Sequence, residues 1–338
     1  MTRNKWLIAG VGIGISVALL WVAFRNLQPA QVWANIQSAN STGLVIGAIW
    51  YFAAVTVISL RWRFLLNAIQ RIPLRDLMPL VCIGYAGNNI YPFRSGEVLR
   101  IILLQRNFNI PVARGTTTVL VERVFDGLVM LTFILVSLLF APISSPEVRM
   151  IATVTAPIFI IAVAVFFILA ARPELLRGLV RRISALLPER LQHLLVNITE
   201  EIISGLGGLR TPADLAGTII SSYATWALEA SVYWIVAQAF NLELGYVTML
   251  LVVGVVNLAG LIPASPGQFG VFETFASAVL VSAGVPEVRA VAFALTVHMI
   301  IWLPVTLVGL FFLLQQGLGF SAITRAQRLE QKALSHKA

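Results

Sequence analysis

The sequence predicts an all-α polytopic membrane protein of six transmembrane helices plus two re-entrant helical hairpins arranged as an inverted repeat. Three observations carry this reading. Of 338 residues, 58% are hydrophobic and 12% charged, too few charges to solvate the outside of a soluble globule of this length. The apolar residues fall into runs long enough to cross about 30 Å of hydrocarbon. Two of these runs are broken by Pro and Gly, and the breaks share a skeleton. Pro92-x-x-x-Gly96-Glu97 recurs as Pro263-x-x-x-Gly267-Gln268, and Pro111-x-x-Arg114 is echoed by Pro286-x-x-Arg289.

Arg3 and Lys5 precede the first run, Trp6–Phe24. It reads as a retained helix and not a secretory signal, because it is long enough to span and no small-x-small cleavage site follows. Gly10-x-Gly12-x-Gly14 inside it reads as a helix contact face. The runs Gly43–Leu60, Thr118–Ala141, Ile151–Ala171, Leu215–Phe240 and Ala290–Leu314 complete six full helices. Between them, Leu77–Gln105 and Tyr246–Ala283 are interrupted, and arms of their length suit hairpins that return to the side they left.

The side is set by the basic residues, since short cytoplasmic loops carry the excess of Lys and Arg. With the N-terminus inside, most of the 24 fall in cytoplasmic segments, Arg61, Arg63, Arg71, Arg75, Arg106 and Arg114 among them. Arg25, Arg149 and Arg289 stay outside. The expectation is a multi-pass protein of the cell (inner, cytoplasmic) membrane with both termini cytoplasmic. It forms one domain, 1–141 as the first repeat and 142–338 as the second. The second repeat includes a cytoplasmic amphipathic segment, 172–214, where Leu176, Leu179, Val180, Ile183, Leu186 and Leu187 recur at helical spacing among arginines. That segment reads as a helix on the inner leaflet.

The net charge of +9 lies mostly in these loops, so it reports orientation and not nucleic-acid binding. The one cysteine, Cys82, excludes an internal disulfide. Three His and one Cys give no metal-ligand spacing, and neither a phosphate-binding loop nor a nucleophile elbow occurs. Hence no catalytic residue, no metal and no cofactor is expected, and the chain is predicted not to be an enzyme.

In an inverted repeat, hairpin tips from the two faces meet near the midplane and expose helix ends to a polar cavity. Pro92 and Gly96 mark one tip; Pro263, Pro266, Gly267 and Gly270 mark the other. An ionisable side chain at that depth costs about 2.5–3.5 kcal/mol, so such residues mark a substrate or ion path. The candidates for substrate binding on the first hairpin are Asn88, Asn89, Arg94, Glu97 and Arg100. Glu122, Arg123 and Asp126 follow on the next helix, where i, i+4 spacing puts both carboxylates on one face. Arg94 and Arg100 are their expected partners, either fixing the hairpin as an ion-pair network or meeting a lipid phosphate. On the second half, Glu229, Gln268, Glu273 and His298 are the candidates, for a cationic headgroup or for carrying a proton.

The combination Gly87-Asn88-Asn89-x-x-Pro92-x-Arg94-x-Gly96-Glu97-x-x-Arg100, then Glu122-Arg123-x-x-Asp126, then Pro263-x-Ser265-Pro266-Gly267-x-x-Gly270-x-x-Glu273 resembles the lysylphosphatidylglycerol synthetase transmembrane-region family, over nearly the whole chain. The resemblance implies a flippase-like domain. The family includes the membrane half of the multiple peptide resistance factor, which moves aminoacylated phosphatidylglycerol between leaflets. It also includes stand-alone proteins associated with hopanoids or lipid-linked sugars. The residues it carries over are Asn89, Pro92, Arg94, Gly96, Glu97, Arg100, Glu122, Arg123, Asp126, Pro263, Gly267, Gly270 and Glu273. The chain departs from the two-part enzyme by ending at Ala338 without an aminoacyl-transferase domain, so synthesis of a lysyl-lipid is not expected.

The expected function is a lipid flippase or transporter that receives a polar headgroup at the two tips. The alternatives are a membrane-embedded enzyme acting on a lipid-linked phosphate or sugar, and a scaffold for a lipid-modifying partner. Membrane lipids are the expected partners, with no nucleic acid; a homo-oligomer and a lipid-modifying enzyme partner both remain open.

Overall fold

The computed structural model describes residues 14–21, 25, 27–91, 95–140, 161, 172–185, 187–206, 211–260, 262 and 265–317. The described part is all α-helical apart from turns. Residues 14–21 are helical, followed by α1 (Pro29–Ser38), α2 (Ser41–Leu66), α3 (Leu74–Ile90), α4 (Ser95–Phe108) and α5 (Val112–Phe140). Then come α6 (Pro173–Ser184), α7 (Glu189–Leu206), α8 (Pro212–Ala239), α9 (Tyr246–Ala259), a 3-10 turn (Pro266–Gln268), α10 (Val271–Ser282) and α11 (Glu287–Gln315). Most of the expected span Ile151–Ala171, and most of Trp6–Phe24 with its glycine face, lie outside the described residues.

Among the described residues, α2, α5 and α11 are long and apolar enough to cross a membrane. The side chains they turn outward are apolar, as Val45, Ile49, Leu131, Leu139, Leu303, Leu307 and Phe311 show. A surface of this kind belongs in lipid, where a helix satisfies all its backbone groups internally.

α2 and α8 form the spine. The Asn40 carboxamide accepts from Gly43 N at 3.2 Å and starts α2, while the Thr211 hydroxyl accepts from Asp214 N at 3.1 Å with Pro212 opening α8. Each is a capping arrangement worth about 1 kcal/mol. The two helices run antiparallel in close contact. A Cβ on Gly43 would lie 2.9 Å from the Ala239 Cβ, Asn40 N donates to Ala239 O at 2.9 Å, and at the far end Asn67 Nδ2 donates to Asp214 Oδ1 at 2.8 Å.

These contacts define two ends of the bundle. The end of α2 at Leu66 and the start of α8 share one end, and the start of α3 follows α2 there across a short connection. The tail of α4 joins them, with Asn107 Nδ2 donating to Gln316 at 3.4 Å. At the other end, Arg289 at the start of α11 donates to Phe240 O at 2.5 Å, and Ser137 near the end of α5 donates to Val247 O at 2.9 Å. The helical pair α3–α4 therefore opens and closes at the first end, and α9–α10 at the second. Their inner ends meet: a Cβ on Gly267 would sit 3.2 Å from Asn89 O.

The 172–214 segment differs from the single amphipathic helix expected. It forms two helices, α6 and α7, tied by Arg177, whose Nε and NH2 donate to Glu200 at 2.8 and 2.9 Å. Hydrogen bonding from Arg177 lowers the Glu200 carboxyl below its ordinary value. Pro188 divides the leucine pattern, and α7 packs on α5, whereas Leu175, Leu179 and Ile183 of α6 stay exposed.

Candidate functional site: a buried ion network and two hairpin tips

Glycine sets the geometry of the first pair. Cβ atoms on Gly84, Gly87 and Gly96 would strike the facing chain, and the one on Gly96 would lie 1.7 Å from Gly84 O, so α3 and α4 cross at backbone contact. Asn88 Oδ1 accepts from Gly96 N at 2.9 Å, which satisfies an amide that the start of α4 would leave orphaned. This crossing carries Arg100 toward α5.

Glu122 on α5 is the hub. Arg100 donates to it bidentately, NH1 to Oε1 at 3.1 Å and NH2 to Oε2 at 3.0 Å. Arg61 NH2 lies 3.0 Å from Oε1, and Arg123 NH2 donates to the same oxygen at 2.7 Å. Asp126, one turn on, takes Arg61 NH1 at 2.5 Å, Trp226 Nε1 at 2.7 Å and Arg123 NH2 at 3.2 Å. Arg123 Nε faces Glu97 Oε1 at 3.8 Å. The Arg100 guanidinium lies 4.1 Å over the Trp62 ring, whose Nε1 donates to Thr118 at 3.1 Å.

Three guanidiniums thus meet three carboxylates, and the network is formally neutral. Its members differ in access. Arg61 and Glu122 are sealed, with side chains 2% and 1% exposed, while Arg123 is 34% and Glu97 20% exposed. The Nε atoms of Arg61, Arg100 and Arg123 are buried without hydrogen-bond partners. Arg123 is thus the guanidinium of the three that is open to an incoming anionic or polar oxygen, since Arg61 and Arg100 are 2% and 6% exposed.

The sequence reading named Arg100, Glu97, Glu122, Arg123 and Asp126, and the structure brings all five together. It places Arg61 differently from expectation: counted there with cytoplasmic loop residues, Arg61 is 1% exposed inside the network. α2 continues six residues past its apolar run, and helical phase carries Arg61 onto the buried face with Ile58, Leu65 and Tyr51. Trp62, Trp226 and Thr118 were also missed, because tryptophan in an apolar run reads as bulk. Arg94 and Pro92, and Pro263 at the other tip, lie outside the described residues.

At the second tip, Gly267, Gln268 and Gly270 all have positive φ, 71, 62 and 87°, the left-handed region that favours glycine. Pro266 opens the 3-10 turn. The glycines aligned by the repeat act differently: Gly96 lies inside α4, Gly267 in the turn. Glu273 Oε2 accepts from Gly270 N at 2.7 Å, His298 Nδ1 lies 2.6 Å from Glu273 Oε1, and His298 Nε2 lies 2.9 Å from Gly267 O. Phe272 stacks on the imidazole at 4.4 Å. The Gln268 carboxamide covers Gly260.

Asn89 Nδ2 donates to Thr306 Oγ1 at 2.8 Å and so ties the first tip to α11. Glu229, a candidate for a cationic headgroup or a proton, accepts from Tyr233 Oη at 3.1 Å. Among the described residues no group of His, Cys, Asp and Glu is arranged to hold a metal ion.

The fold and this arrangement define an α-helical membrane protein with a charge network built into its interior. The chain belongs to the family described as the lysylphosphatidylglycerol synthase TM region, whose profile matches residues 8–309. It is 25% identical over 314 residues to a UPF0104 membrane protein of Methanothermobacter thermautotrophicus, covering 88% of this chain and 90% of that protein. A UPF0104 membrane protein of Pyrococcus horikoshii is 22% identical, covering 92% and 97%. Glycosyltransferase AglD of Haloferax volcanii is 25% identical over 329 residues, 88% of this chain but 52% of AglD. The expectation that the chain is not an enzyme is corrected by this last relative, which is named for a group-transfer activity and matches most of the chain.

Proposed function

We propose that this protein is a lipid flippase or transporter that moves a polar-headgroup lipid between bilayer leaflets. In this reading six transmembrane helices and two re-entrant hairpins, α3–α4 and α9–α10, form an inverted repeat of 1–141 and 142–338. The protein sits in the cell membrane with both termini cytoplasmic. The opposed outer ends of the two pairs and the Asn89–Gly267 approach support it. The observation that carries the reading is the buried, charge-balanced network whose rim, Arg123 and Glu97, is its accessible part. A headgroup phosphate takes the place of Glu97 beside Arg123 while acyl or prenyl chains stay in the bilayer. Glu122, Asp126 and Arg100 then hold Arg123 in place.

The test is reconstitution of purified protein into vesicles carrying fluorescent phosphatidylglycerol, phosphatidylethanolamine or a glycosylated lipid, with dithionite quenching as the measure of translocation. Translocation by the wild type, lost in Arg123→Ala with the fold intact, is the expected result. Folded protein that moves none of these lipids would overturn the proposal.

The name of the AglD relative favours a second reading, a membrane-embedded enzyme acting on a lipid-linked sugar or phosphate. Glu97, the most exposed carboxylate of the network, is then the acid/base residue. This reading requires a lipid product of altered mass, which mass spectrometry of the same vesicles detects.

A further inference from the structure

The geometry points to a proton-binding site formed by Glu273 and His298, in which one bound proton fastens the second hairpin tip to α11. The hydrogen bonds determine where protons sit. Gly267 O can only accept, so His298 Nε2 carries hydrogen toward it at 2.9 Å. Glu273 Oε2 is occupied as an acceptor by Gly270 N–H at 2.7 Å. The remaining contact, His298 Nδ1 to Glu273 Oε1 at 2.6 Å, needs one more proton between its two atoms, because a carboxylate facing an imidazole lone pair would repel. With that proton the pair is neutral, as imidazolium with carboxylate or as imidazole with carboxylic acid. Without it the pair carries one negative charge in a pocket where Glu273 is 0% and His298 3% exposed.

The partners lie on different elements. Glu273 and Gly267 belong to the tip and the start of α10; His298 belongs to α11. The proton therefore holds two parts of the fold together, and its departure to water converts an attractive contact into a repulsive one across that seam. The sandwiching rings, Phe272 at 4.4 Å and Phe269 at 4.8 Å, keep water from substituting while the tip is closed, so release requires the tip to lift.

Among the described residues no other charge replaces the proton. Of the elements packed against α10, α11 and the turn, α8 carries Tyr223, Glu229 and Tyr233, α2 Tyr51, α3 Cys82 and Tyr85, and α9 Tyr246; α1 and residues 14–21 carry no titratable side chain. The Tyr233 ring meets Phe272 edge-on at 6.0 Å, and its hydroxyl is committed to Glu229. Arg61, Arg63, Arg75, Asp76 and Asp214 sit toward the opposite end, and Glu287 and Arg289 lie at the start of α11. Among the described residues none of these hydrogen-bonds or ion-pairs with Glu273 or His298.

Combined with the transport reading, on which this step rests, the site couples a proton to exposure of the second tip. The experiment measures hydrogen exchange of backbone amides in residues 265–270 on wild-type protein in lipid nanodiscs. It is corrected for intrinsic rates between about pH 6 and about pH 9, where a single linked proton changes the opening constant by up to about tenfold per pH unit. The expected result is opening that rises with pH. In Glu273→Gln, the amide N–H donates to a neutral Nδ1 with no added proton, so the tip stays closed across the range. Wild-type exchange that ignores pH, or the same rise in Glu273→Gln, overturns the inference; if the variant fails to fold, the wild-type profile alone decides. Vesicles containing fluorescent phosphatidylglycerol and an internal pH dye separate this from the transport reading. Lipid movement that responds to an imposed pH gradient supports the coupling, whereas movement indifferent to the gradient overturns it. A pH-dependent tip with no lipid movement supports the proton site and removes the transport reading.

Discussion

Replacing Glu122 by Gln tests whether the ion network holds the fold. The substitution keeps shape and removes one charge, and its amide presents donors to guanidiniums that themselves only donate. Glu122 is 1% exposed and meets Arg100 at 3.0 and 3.1 Å, Arg61 at 3.0 Å and Arg123 at 2.7 Å, so one change unbalances three cations. Breaking a buried pair by removing one partner costs about 3–5 kcal/mol. At about 2 °C per kcal/mol, the low end for larger domains, the unfolding midpoint falls by roughly 6–10 °C. The chain carries its own reporter, since Cys82 is its single cysteine and is 0% exposed; a thiol-reactive coumarin maleimide reads unfolding directly. Arg63→Gln, next to the network in sequence but exposed, is the control and moves the midpoint little, as surface changes within about 0.5 kcal/mol do. A Glu122→Gln midpoint within about 2 °C of wild type would refute a structural role for the network.

Three further outcomes follow from the same coordinates. Gly96→Ala places a methyl 1.7 Å from Gly84 O and abolishes the folded state in the Cys82 assay, whereas Gly127→Ala, helical with nothing within 4 Å, is neutral or stabilising by up to about 1 kcal/mol. Trp226→Phe removes the Nε1–H donor to Asp126 and lowers stability by about 1.5–3 kcal/mol, as loss of a hydrogen bond to a charged group does, read in the same assay. In the α6–α7 pair, Glu200 has its carboxyl lowered by Arg177. Its contribution is therefore present above the ordinary Glu value near about 4.3 and lost as pH falls through the lowered value. Hydrogen exchange across Pro173–Leu206 rises on acidification in the wild type, and Glu200→Gln removes that dependence.

The helices were legible because lipid leaves a chain few options. α2 and α11 contain the apolar runs read for them, and α5 and α8 match theirs to the last residue but one, with starts extended to caps such as Asn40 and Thr211. Between α9 and α10 the turn falls at Pro266 and Gly267 as read, whereas Gly96, read as a tip residue, lies inside α4. Arg100, Glu122, Arg123 and Asp126 stood out because charge within an apolar stretch has few explanations. Arg61 did not, since it follows the apolar run directly and resembles a basic flank. Only phase distinguishes it from Arg63: three residues after Ile58 it points inward, whereas Arg63 points out. The Glu273–His298 contact was beyond reach because 25 residues separate the partners and nothing in either helix declares their register. The two-helix form of 172–214 was signalled by Pro188, which the leucine periodicity overrode.

The two tips differ in a way that assigns them different parts in any motion. The Arg61–Arg100–Arg123 network is neutral at every accessible pH above the carboxylate range, because guanidiniums keep their charge. It joins α2, α4, α5 and α8, so separating its members leaves unpaired ions in a low dielectric. The Glu273–His298 contact is neutral only while it holds a proton and joins one turn to one helix. A change in protonation therefore acts on the second hairpin while the first stays clamped, and any alternation of access proceeds by movement of 265–270 against a fixed α3–α4 frame. Exchange of amides in 95–100 stays slow from about pH 6 to about pH 9, while that of 265–270 rises. Simultaneous loosening of both segments would show that the network does not act as the fixed side.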